Sequence, residues 1–93
     1  MASMERAEIY VSGRVQGVYF RGFTQEKALQ HGLSGYVRNL PDGRVFSVAE
    51  GPNDAIIALV EELRIGPPMS KVTDVEVSWF EATGEFSDFS INR

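Results

Sequence analysis

The chain of 93 residues has no cysteine, which excludes both a disulfide framework and a thiolate metal site. It must be held by its core alone, as small cytosolic proteins are, and a cytoplasmic location is expected. Cations are also scarce: nine Lys and Arg stand against thirteen Asp and Glu, for a net charge of -4. General nucleic-acid binders carry an excess of cations, because counterion release supplies most of their affinity. No nucleic-acid partner is therefore expected, and any anion bound here should be small and held locally. The longest uninterrupted apolar run, Ala55 to Val60, is far short of a membrane span. No basic stretch followed by an apolar segment opens the chain, so neither a membrane partner nor a signal peptide is expected. Linkers, low-complexity segments and a readable internal repeat are missing too, as is any carboxylate cluster with metal-ligand spacing.

What is present suits one compact domain. A hydrophobic fraction of 43% argues against disorder, and a chain this short cannot divide it between two cores. Residues 1–93 are read as one domain, with residues 1–5 as a flexible leader. Ala7 to Ser12 alternates apolar and polar residues, as a half-buried strand does. A loop follows from Gly13, and a helix is expected over about Arg21–His31, with Phe20, Phe23, Ala28 and Leu29 towards the core and Gly32 as its left-handed cap. Further strands are expected at about Ser34–Leu40 and Arg44–Glu50, joined by a Pro41-Asp42-Gly43 hairpin turn. Asn53 is the expected N-cap of a second helix, whose residues Ile56, Leu59, Val60 and Leu63 form an apolar stripe. Gly66-Pro67-Pro68 ends that helix. A strand over Val72–Phe80 and a short one within Asp88–Ile91 complete the pattern. The fold class is α+β: a ferredoxin-like βαββαβ sandwich with two helices on one face of an antiparallel sheet.

That architecture serves many functions, so function must come from a site. The loop from Arg14 to Phe20 joins a strand to a helix N-terminus, where free N–H groups and the helix dipole attract anions, phosphate above all. Gly17 lets the backbone curl so that amides converge, and Arg21 adds a fixed charge with paired donors. Each feature taken alone is ordinary turn or surface chemistry. In combination they form a phosphate cradle.

The motifs GRVQGVYFR at Gly13–Arg21, GYVRNLPDG at Gly35–Gly43, AEGP at Ala49–Pro52 and GPPMSKV at Gly66–Val72 resemble those of the acylphosphatase family, in its order and spacing. The resemblance runs from about Arg6 to Trp79. It implies that Val15, Gln16, Gly17, Val18, Tyr19 and Phe20 bind phosphate through backbone amides and that Arg21 completes the site. It also implies that Asn39 positions the attacking water, that the substrate is a small-molecule acyl phosphate, and that no metal or organic cofactor takes part. Inorganic phosphate would be a product, and a monomer is expected because no apolar stripe is left over. By itself Asn39 reads as a turn residue ahead of the hairpin; beside the loop motif it takes the catalytic role.

The residue inventory suits that chemistry. The only histidine, His31, falls at the end of the first helix, away from the loop, and no other general acid is in view. An alkoxide leaving group would need one, whereas a carboxylate, with a pKa of about 4, does not. Arg38 and Tyr36 are expected on the opposite strand face from Asn39, and Glu61 and Glu62 on a solvated helix face. Two other readings stay open. One is the acylphosphatase-like domain of a larger hydrogenase-maturation carbamoyltransferase. The other is a non-catalytic ferredoxin-like binding module, with Tyr10, Tyr36 and Phe46 as candidate stacking residues.

Overall fold

Strict alternation in the first strand sets up the layers. In a computed structural model that describes residues 3–93, β1 spans Met4–Arg14, and its residues Ala7, Ile9 and Val11 are fully buried. Met4 and Glu5, read as part of a flexible leader, belong to β1 instead; Met1 and Ala2 lie outside the described residues. The chain continues as α1 (Phe20–Gln30), β2 (Ser34–Asn39), β3 (Val45–Pro52), α2 (Asn53–Ile65), β4 (Lys71–Glu81) and β5 (Phe89–Ile91). The strands form one sheet in the order β4-β1-β3-β2-β5. Both helices cover the face that carries Ala7, Ile9, Val11, Val37 and Val75, and there lies the core.

The sheet is not wholly antiparallel, as expected, but mixed. β5 lies parallel to β2, with Gly35 opposite Phe89 and Val37 opposite Ile91. The reason is topological. β4 occupies one edge, so residues 82–88 must cross to the other edge, and they deliver β5 running alongside β2.

Helix ends show how local chemistry was and was not anticipated. Gly32 adopts φ +69°, and the N–H groups of Gly32 and Leu33 reach back to Leu29 and Ala28, the paired bonds of a Schellman cap. Leu29, however, is 54% exposed; α1 buries Phe20, Gly22, Thr24 and Ala28 instead, so it packs through mostly small residues. Asn53 is the first residue of α2 and not its cap. Pro52 holds the cap position without a side-chain bond, and Asp54 supplies the negative charge in the first turn, where the dipole favours it. Glu62 does not belong to a merely solvated face, because it reaches Lys27 at 3.4 Å and His31 and ties α2 to α1.

On the open face Tyr10 packs tilted against Phe46, and Tyr36 meets both Phe46 and Phe86 edge-on. Arg44 and Arg38 lie over Tyr10 and Phe46. Phe46 is only 8% exposed, so the rings pack on one another and do not present flat faces to bases.

Glu50 anchors the crossing segment to this face. It is 3% exposed, and its carboxylate accepts from the N–H groups of Thr83 (2.9 Å) and Gly84 (3.0 Å), the Thr83 hydroxyl (2.9 Å) and Arg6 (3.4 Å). Burial disfavours the charged form, but these donors outweigh it and hold the carboxyl below the usual glutamate range. A lowered folded-state pKa stabilises above the unfolded value, and that stability is lost as pH falls through the folded one. Glu50→Gln is expected to cost about 1–3 kcal/mol at pH 7, the scale of hydrogen bonds to a charged group. In urea titrations the gap from wild type should close as pH drops below about 4. A gap of the same size at low pH would assign the loss to packing.

Candidate active site

Three side chains fix the loop between β1 and α1. Val15, Val18 and Phe20 are 1%, 8% and 2% exposed, so they act as pegs in the core and leave the backbone between them to face outward. Gly17 (φ +76°) and Tyr19 (φ +67°) are left-handed, whereas Gln16 and Val18 are not. Alternation of this kind turns successive N–H groups towards one point, as in an anion nest. Tyr19 is also the N-cap of α1, yet no side chain caps the helix and no acidic residue stands in its first turn. The N–H groups of the first turn thus have no side-chain partner, at the positive end of the helix dipole. The Tyr19 hydroxyl donates to Glu26 at 2.7 Å, and this bond raises the phenol pKa.

A cleft of about 440 Å³ brings this loop together with both expected catalytic residues. Its walls include Val15, Gly17, Tyr19, Phe20, Arg21 and Asn39. Gln16 and Val18 are not in the walls. The Val18 side chain is in the core, and that of Gln16 bonds to the β2–β3 hairpin. Arg21, in the first turn of α1, makes one long contact of 3.5 Å from Nη1 to the Asn92 carbonyl; most of its fork is uncommitted. Asn39 ends β2. Its Oδ1 is the one buried side-chain polar atom among the described residues without a hydrogen-bond partner. Leaving a buried acceptor unpaired costs about 1–3 kcal/mol, so such an atom in a residue that lines a cleft asks for an explanation.

The same cleft has a wall the motifs did not reveal. Gly22 and, from the C-terminal end, Ile91 and Arg93 complete it. The latter two arrive through the parallel β5 pairing and the bond from Asn92 N–H to Val37 carbonyl (2.8 Å). Arg14 and Lys71 stand at the same end of the sheet, as does Arg44, which is paired with Asp42 at 2.8 Å. A larger hollow of about 650 Å³ lies at the opposite end, beside Met4, Trp79 and Phe80. Its charged neighbours are Glu5 and Glu81, which repel anions. Among the described residues no three His, Cys, Asp or Glu side chains cluster as a metal site, and no helix is long and apolar enough to cross a membrane.

Comparison with known proteins agrees with the geometry. The family model for acylphosphatase matches residues 7–91. An acylphosphatase of Methanococcoides burtonii is 58% identical over 94% of this chain and 91% of its own length. The crystal structure of acylphosphatase from Bacillus subtilis superposes with a TM-score of 0.93 at 44% identity, over 96% of this chain and 99% of that one. The reading as a domain of a larger protein finds a looser counterpart in full-length HypF, at 27% identity and 12% of that chain. Sequence match, superposition and the loop–helix architecture all lead to one conclusion: the chain belongs to the acylphosphatase family.

Proposed function

We propose that this acylphosphatase works by holding the phosphoryl group in the amides of residues 15–20 and the fork of Arg21 while Asn39 orients the attacking water. The observation that carries this reading is that Asn39, a residue of the cleft wall that also contains Arg21, keeps a buried Oδ1 without a hydrogen-bond partner. Phosphoryl transfer depends chiefly on positioning and on charge stabilisation of the equatorial oxygens. Converging amides, a helix N-terminus and a guanidinium provide the second. An amide oxygen accepting one water proton provides the first. Asn39 has no titratable lone pair at neutral pH, so the proton passes to the phosphoryl oxygens of the substrate itself.

The leaving group then sets the substrate class. The only histidine, His31, is engaged with Glu62 at the far end of α1, so the departing oxygen receives no proton from it. A carboxylate departs unassisted because carboxylic acids ionise at about pH 4; an alkoxide does not. The substrate is an acyl phosphate, cleaved without metal or organic cofactor to carboxylate and inorganic phosphate. The working unit is one chain, since every group named comes from a single chain, and it acts in the cytoplasm, where a fold without disulfides suffices. With EDTA present, a simple acyl phosphate should be hydrolysed well above background while an alkyl phosphate monoester is not. Equal turnover of the two would point to a proton donor absent from this account.

A further inference from the structure

The two halves of the site come from distant segments, and one side chain joins them. Gln16 immediately precedes Gly17 in the cradle. Its Nε2 donates to the carbonyl of Leu40 at 2.8 Å and to that of Arg44 at 2.9 Å. These carbonyls form the neck of the β2–β3 hairpin, which is closed by Leu40 N–H to Arg44 (2.8 Å) and Gly43 N–H to Leu40 (3.1 Å). Asn39 is the residue before that neck. Both protons of one amide are thus spent on fastening the phosphate loop to the strand end that carries the water-holding residue. Asn39 makes no bond through Oδ1 to hold itself in place. Its position follows from where the hairpin neck is held.

We infer that Gln16 is a positioning residue, whose side-chain amide sets the separation between the phosphoryl cradle and the water on Asn39. The inference rests on the water-orienting reading above and adds to it the part that fixes the distance. In-line attack tolerates little error, and a misplacement of about 1 Å is worth up to about 100-fold in rate. A main-chain role for Gln16 in the cradle is compatible with this, because the backbone and the side chain face different partners.

The test uses two substitutions that keep length and remove the donors. Gln16→Glu sets a carboxylate against two carbonyl oxygens, and Gln16→Met removes the bonds without repulsion. Each is expected to lower kcat by about 10- to 100-fold; in Gln16→Met, which adds no charge beside the cradle, competitive inhibition by inorganic phosphate should shift by less than about threefold because the cradle is intact. A residue that acts through Asn39 should lose its effect once Asn39 is gone. In an Asn39→Ala background, Gln16→Met should therefore change kcat by less than about twofold. Two results would overturn the inference: folded Gln16 variants with wild-type kcat, or, in Gln16→Met, a loss of phosphate inhibition in step with kcat. If instead Asn39→Ala itself kept full turnover, the water-orienting reading would fall, which is a separate outcome. Amide exchange gives a readout independent of activity: the Leu40 and Gly43 N–H groups should exchange faster in Gln16→Met, with β1 and β3 unchanged. Unchanged exchange there would also count against the fastening role.

Discussion

Replacing Asn39 by Ala is expected to lower kcat by about 100-fold or more, the scale seen when a single positioning or oxyanion group is removed. Inhibition by inorganic phosphate should persist, because the loop amides and Arg21 remain. The accompanying stability result is equally informative. Most half-buried polar residues hold the fold through their hydrogen bonds, and their removal destabilises it. The Oδ1 of Asn39 has no partner among the described residues, so Asn39→Ala should melt at the wild-type temperature or above it. Activity lost without stability lost is the signature of a group retained for function. A fall in melting temperature together with activity would make Asn39 a structural residue of the hairpin. Full turnover in a folded variant would assign the water to another group.

Arg21→Ala is expected to have the larger effect on kcat/KM, about 1000-fold, comparable to the loss of an arginine that stabilises a transferring phosphoryl group. It should also weaken inhibition by inorganic phosphate, which separates it from Asn39→Ala. Lysine should not restore the activity, since a single ammonium cannot reproduce two donors in a planar fork. The protein should remain folded, because the recorded contact of Arg21 is one long bond to the Asn92 carbonyl. If Arg21→Lys turned over like wild type, simple charge would suffice and the fork geometry would be irrelevant.

The two residues behind these expectations were legible in the sequence for different reasons. Arg21 stands out locally, in a glycine-bearing loop before a helix, where the physics of helix ends already favours anions. Asn39 does not. Beside Pro41-Asp42-Gly43 it has a sufficient local explanation, and only its family resemblance singled it out. Periodicity read the strands and helices well because burial of one face leaves a pattern along the chain. It failed where burial depends on a partner from far away. Leu29 fits the apolar side of α1 by spacing, yet α1 approaches the sheet through Gly22, Thr24 and Ala28 and leaves Leu29 exposed. Glu50, which only closes the expected strand Arg44–Glu50, is the buried acceptor for Thr83 and Gly84. A carboxylate looks the same in sequence whether water or two amides will solvate it. The parallel seating of β5 was illegible for the same reason, and with it Ile91 and Arg93 in the cleft. Gln16 is the sharpest case. The loop motif implies a backbone amide turned to phosphate and says nothing of the Gln16 side chain, which bonds to the hairpin neck, 24 and 28 residues on.

The most direct measurement runs the hydrolysis of a simple acyl phosphate in ¹⁸O-labelled water with EDTA and locates the label. Water held against phosphorus by Asn39 places ¹⁸O in inorganic phosphate and leaves the carboxylate unlabelled. Label in the carboxylate would mean attack at carbon, which neither the cradle nor Asn39 arranges, and would contradict the mechanism at its centre.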